Sequence, residues 1–315
     1  VSRVACGSAS GGEDVAPSVD QAPTSGTSLS YPINPNGDAG QADAGPQCVN
    51  PNYNENFPGL RYGNFLLKNN AWNAGAADGA WWQCISLLDR GDTAAPHWNY
   101  KWLGENDVFG SIFQVRSFPE VIYGTKSAFE SSGTFAEVGL PARYPDLANF
   151  TIDYAYSDEE YTAFSKEVGG TTVFGEKNVA IESFFHTTCD IQRGVSGSNR
   201  EMEMMVWLEG GPERKPDGAA GLQTEITIDG ERYQVWTKGA KDPGYIAFYA
   251  LDPNPSGQLD WNKFIEWTRA NGETFGTKAF DDSWCLGNII FGTEIWWGKG
   301  TFTLDRFDIT RTTAG

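Results

Sequence analysis

What most limits the folding of this chain is the spacing of its turns. From Cys48 onward, short strand-like segments follow one another at 62–69, 81–88, 110–117, 150–157, 178–186, 201–208, 222–228, 232–237, 244–250, 287–297 and 300–310. Turn clusters such as Asp229-Gly230 and Pro253-Asn254-Pro255 separate them. A single stretch shows helical period: Trp261, Phe264, Ile265 and Thr268 fall at i, i+3, i+4 and i+7, with Asp260 as N-cap and Asn271-Gly272 as the stop. Many short strands and one helix predict an all-β antiparallel sandwich or barrel.

At 315 residues the chain is long enough for one large β domain. Residues 1–47 read as a disordered tether rich in Gly, Ser, Pro and Ala, and 48–315 as the folded domain. Within the tether, Val4-Ala5-Cys6-Gly7 resembles the end of a lipoprotein cleavage box, although Arg3 fits that pattern badly. No apolar run approaches the ~18–20 residues of a membrane-spanning helix. A formal charge of −18 repels a phosphate backbone, which argues against nucleic acid as a partner. Twelve Trp exceed what a core of this size needs, and flat aromatic faces suit stacking on neutral sugar rings.

His97 and His186 stand apart, and no Cys-x-x-Cys, Gly-x-Ser-x-Gly or phosphate-binding Gly-rich loop is present. The pattern calls for no metal and no organic cofactor, and leaves carboxylate chemistry. Cys48 and Cys84 bracket the first strands and are expected to pair; Cys189 and Cys285 remain as a second candidate pair. A disulfide places the chain outside the reducing cytosol, hence a secreted protein.

In 201–208, Met202, Met204, Val206 and Leu208 form one apolar face, while Glu201, Glu203, Met205 and Trp207 share the other. A carboxylate, a thioether and an indole together suggest the floor of a cleft. In 289–297 one face carries Ile290, Gly292, Glu294 and Trp296, so Glu294 is expected to be desolvated and its pKa raised, with Gly292 leaving room for a ligand. A third strand sets Asn178, Ala180, Glu182 and Phe184 together, from which Glu182 could share a proton with Glu203. A proton-holding Glu facing an ionised Glu is the equipment of glycoside hydrolysis.

These strings resemble glycoside hydrolase family 12. Glu203-Met204-Met205-Val206-Trp207 is similar to the family's nucleophile strand and Gly292-Thr293-Glu294-Ile295-Trp296 to its acid/base strand. Lys68 to Asn73, Gln83-Cys84, Arg116-Ser117-Phe118-Pro119, Asn178-Val179-Ala180 and the Asp229-Gly230 turn before Trp236 follow in the family's order. The resemblance spans about residues 48–310 and implies a jelly roll of two curved antiparallel sheets with a concave groove for a β-1,4-glucan. It implies Glu203 as nucleophile, Glu294 as acid/base and Glu182 as a tuning residue. Asn70 and Trp72 would contact sugar on the non-reducing side, with Met205 and Trp207 beside the reacting ring. A retaining pair stands about 5–5.5 Å apart.

Three departures accompany the resemblance: Glu182 replaces the family's Asp, Asn73 its Gly, and Trp296-Trp297 follow the acid/base where Pro-Phe is common. Trp296 would make the leaving-group side more aromatic. The expected activity is that of a secreted, monomeric, retaining endo-β-1,4-glucanase acting on cellulose, mixed-linkage glucan or xyloglucan. The alternatives are a non-catalytic carbohydrate-binding jelly roll and an endo-β-1,4-xylanase of the related fold.

Overall fold

The structure is a computed structural model. It describes residues 45–312 except 51–58, 72–80, 91–92, 103–114, 128–129, 159–164, 169–170, 175, 192–198, 211–214, 217–220 and 240–242. Residues 1–44 of the expected tether, with Cys6, lie outside the described residues, as does Trp72. The first strand, Gln47–Val49, opens one residue ahead of Cys48.

Two large sheets hold the described chain. The smaller runs Gln47–Val49, Trp81–Asp89, Ala94–Trp102, Ile295–Thr312, Asn149–Ser157, Ser256–Asp260, with Glu176–Lys177 joining the Ile295 strand. The larger has the central order Gly221–Ile228, Glu231–Thr237, Gly244–Ala250, Arg200–Glu209, Val179–His186, Asn288–Gly292, Glu120–Ser127, Phe65–Lys68, Gly59–Tyr62. Pairing is antiparallel except at the centre, where Arg200–Glu209 lies parallel to Gly244–Ala250, a departure from the all-antiparallel expectation.

The alternation read from the sequence decides which residues meet between the sheets. Ile181, Phe185, Met202, Met204, Val206 and Leu208 of the larger sheet share one core with Trp98, Phe150, Tyr156, Phe302 and Leu304 of the smaller. Trp98 stacks on Phe302 with ring centres 4.6 Å apart. Each such side chain contributes about 1.5–3 kcal/mol on burial.

The Trp261–Asn271 helix forms as expected. The Asp260 carboxylate accepts from the Asn262 N–H at 3.2 Å, and Trp261, Phe264, Ile265 and Thr268 are buried. The Trp261 indole N–H donates to Ser183 Oγ at 3.0 Å, fixing the helix to the inner face of the larger sheet. A one-turn helix at Phe135–Val138 and a 3-10 turn at Tyr144–Asp146 are additional. Asp229-Gly230 turns a hairpin with positive φ at both residues, 54° and 88°. Cys48–Cys84 and Cys189–Cys285 are both disulfide-bonded.

Several segments differ from the sequence reading: 62–69 is a hairpin of Gly59–Tyr62 and Phe65–Lys68, and of 110–117 only 115–117 lie among the described residues, where Ser117 makes a single bridge to Ile295. Ala94–Trp102 is a strand hidden by Pro96 and His97, held between its neighbours by alternating buried residues. The segment 287–297 is two strands rather than one. Asn288–Gly292 belongs to the larger sheet and Ile295–Thr312 to the smaller, so the chain changes sheets at Thr293-Glu294. Trp297 consequently packs in the same cluster as Trp296 instead of on the opposite face.

Candidate active site

The face of the larger sheet turned away from the core carries the candidate residues. Backbone register sets Phe184 opposite Glu203, Glu182 opposite Met205 and Ala180 opposite Trp207. On the other flank Ala180 pairs with Gly292 and Glu182 with Ile290. Glu203, Met205, Trp207 and Glu182 therefore share one face with Ile290 and Gly292, and Glu294 follows in the link that leaves this sheet.

Glu203 and Glu294 approach Glu182 from opposite ends of its strand. Glu203 aligns with Phe184, and Glu294 lies beyond Gly292 beside Asn178. Glu182 stands between them along the strand, and repulsion from both raises its pKa.

Glu182 is 4% exposed. Burial pushes its carboxyl well above the usual range; Lys126 opposes this, and repulsion from Glu203, Glu120 and Glu294 adds to it. Glu203 and Glu294 are half-buried.

Glu294 is held where two chain segments change sheets together. Glu176–Lys177 pairs with the smaller sheet and Val179–His186 with the larger, so Asn178 is a crossing point like Glu294 itself. The Asn178 N–H donates to the Glu294 carbonyl at 3.0 Å, and the Glu294 N–H donates to Asn178 Oδ1 at 2.8 Å. Asn178 Nδ2 donates to Glu294 Oε2 at 2.5 Å. One amide thus fixes both backbone and carboxyl. From the core side, the Trp98 indole N–H donates to Thr293 Oγ1 at 3.0 Å.

Gly292 serves a different purpose from the expected one. A Cβ there would lie 2.7 Å from the Phe118 ring and 2.8 Å from the Pro119 carbonyl oxygen. The missing side chain makes room for the neighbouring Phe118-Pro119 segment, not for a ligand.

Aromatic residues continue the face. Ala180, Met205, Trp207, Tyr245, Ala247, Trp296 and Trp297 pack together, with Trp236 and Tyr249 against them. The Trp207 and Trp296 rings are 5.9 Å apart, and Tyr245 OH donates to Met205 Sδ at 3.5 Å. On the other side of Glu182, Asn70 Nδ2 donates to Glu120 Oε1 at 3.0 Å, and the Asn70 carbonyl accepts from the Phe118 N–H at 2.8 Å. Next to it, Asn69 and Gln83 are buried and bond side chain to side chain at 2.7 Å. Sequence reasoning missed Glu120, Lys126 and the clamping role of Asn178. An acid directly after Phe118-Pro119 was the available signal for the first.

With this geometry in view, the relatives can be compared. No protein-family model matches the chain. A probable xyloglucan-specific endo-β-1,4-glucanase A of Aspergillus terreus is 24% identical over 252 residues, 79% of this chain and 82% of that protein. Among solved structures, a native family 12 xyloglucanase from Bacillus licheniformis superposes with a TM-score of 0.62 at 19% identity, covering 84% of this chain and all of its own. The endoglucanase cel12A from Rhodothermus marinus gives 0.63 at 22% identity over 85% of this chain and 99% of its own. The molecule is an all-β jelly roll with the fold of the family 12 glycoside hydrolases. The resemblance read from its strands extends to the whole described fold.

Proposed function

We propose that this protein is a secreted, retaining endo-β-1,4-glucanase that cleaves internal bonds of cellulose, mixed-linkage glucan or xyloglucan. Glu203 attacks the anomeric carbon as Glu294 protonates the departing oxygen; Glu294 then deprotonates the water that releases the glycosyl group from Glu203. Glu182, buried beneath both, tunes Glu203. Asn70 and Trp72 bind the non-reducing side, Met205 and Trp207 line the reacting ring, and Trp296 faces the leaving group.

The observation that carries this reading is that Glu203 and Glu182 share the outer face of one sheet with the Trp207–Trp296 aromatic cluster, and that Asn178, at the start of the Glu182 strand, clamps Glu294. The indole N–H groups of Trp207 and Trp236 add support, being buried without a protein acceptor among the described residues. Sugar hydroxyls would satisfy them. The names of the Aspergillus and Bacillus relatives point to the same substrate class. Two disulfides fit an oxidising compartment.

Replacement Glu203→Gln keeps the shape of the side chain but removes the nucleophile. Hydrolysis of β-glucan should be abolished while cello-oligosaccharide binding, read by calorimetry, persists. Full turnover in this variant contradicts the assignment; a wild type that binds cello-oligosaccharides without hydrolysing them favours a binding-only jelly roll.

A further inference from the structure

Lys126 is a buried cation among the acids of this face. It lies on the Glu120–Ser127 strand, donates to Glu120 Oε2 at 2.6 Å and stands 3.9 Å from Glu182 Oε1. Its side chain is 13% exposed, against 0% for Glu120 and 6% for Glu182. The Nζ also lies 5.7 Å from each of the Phe118 and Phe184 ring centres. Since Asn70 donates to the other oxygen of Glu120, a polar chain runs Asn70, Glu120, Lys126, Glu182. Burying such a pair costs several kcal/mol of desolvation per ion. The face it occupies is not the one that joins the two sheets.

We infer that Lys126, anchored by Glu120, is a positioning residue of the proposed hydrolase, holding Glu182 beneath the reacting acids and setting the pH range of turnover. The inference rests on the hydrolytic reading above.

The charged groups around the pair define the expected effect. Glu120 comes from its own strand, Glu182 from the Val179–His186 strand, and Glu130 from the adjoining Glu130–Ser131 strand, where it lies 3.7 Å from Lys68. Glu203 and Glu294 act on Glu182 from its two flanks. Arg200 covers the Phe184 ring at 3.6 Å, and His186 stays neutral down to about pH 4.

Without the ammonium, the burial of Glu120 and Glu182 is no longer opposed, so Glu182 holds its proton to higher pH. The charge beside Glu203 and Glu294 changes with it, and the pH–rate profile moves.

The test compares Lys126→Met and Lys126→Arg by kcat/KM against pH on mixed-linkage glucan, with ¹³C titration of the Glu182 carboxyl carbon. Lys126→Met should raise the Glu182 midpoint and move the pH–rate profile by about one unit. Lys126→Arg should restore the wild-type profile. A uniform loss of rate with an unmoved profile and an unmoved Glu182 midpoint overturns the inference and leaves the hydrolytic reading standing. A wild type inactive on every β-glucan overturns that reading instead, and the Glu182 titration still decides the charge role.

Should Lys126→Met fail to fold, Glu120→Gln provides the second arm. Its single carbonyl oxygen can accept from Asn70, while the NH2 that replaces the other oxygen no longer accepts from Lys126 and frees the ammonium for Glu182, so the Glu182 midpoint should fall. An unchanged midpoint there also overturns the inference.

Discussion

His186 shows how a single side chain sets a condition on the whole molecule. Its ring is 4% exposed, and neither nitrogen has a hydrogen-bond partner among the described residues. Burial, reinforced by Arg200, lowers its pKa from 6.5 to about 4. Because the folded value lies below the unfolded one, the unfolded chain binds a proton first as pH falls. Stability is full above pH ~6.5 and declines until about pH 4, a loss of about 3 kcal/mol. In His186→Leu this decline should vanish, so the difference in unfolding free energy from wild type grows by about that amount between pH 7 and pH 4. Parallel pH curves would contradict this account. At this scale Glu182, Glu203, Met205 and Trp207 were readable because a strand's period of two fixes their face. Lys126 and Glu120 were not, since their meeting with Glu182 depends on strands far apart in sequence.

Elements place Glu294 through a crossing that alternation alone does not reveal. The sequence marks 287–297 as one strand, but Thr293-Glu294 leaves one sheet for the other opposite Asn178. A continuous apolar run reads the same whether it stays in one sheet or changes sheets. The helix, by contrast, was readable to its cap, because Asp260 and the 3.6-residue period are local signals. Gly292 holds the crossing in place by letting Phe118 and Pro119 pass. Gly292→Ala should cost about 1–3 kcal/mol of stability through overpacking and lower the melting temperature. It should also reduce kcat more than binding, as Glu294 shifts with its strand. An unchanged melting temperature would refute the packing argument.

For the whole molecule, two covalent links bind distant parts of the chain. Cys48–Cys84 ties the first strand to its sheet partner over a separation of 36 residues, and Cys189–Cys285 closes one of 96. In the chain-entropy model these contribute about 3–4 and 4–5 kcal/mol. The double variant Cys189→Ser, Cys285→Ser should therefore lose more stability in urea than Cys48→Ser, Cys84→Ser; the reverse order would show that native-state packing, not loop closure, dominates. The antiparallel sandwich or barrel followed from turn spacing and the one helix, and the jelly roll from the family resemblance. The parallel contact between Arg200–Glu209 and Gly244–Ala250 did not, because strand direction at a sheet centre leaves no mark on apolar pattern.

The central claim is that Glu203 and Glu294 act on opposite sides of one glycosidic bond by double displacement. Proton NMR of the first moments of β-glucan hydrolysis tests it most directly. The account predicts that the new reducing end appears as the β anomer and only later mutarotates; initial release of the α anomer would contradict it.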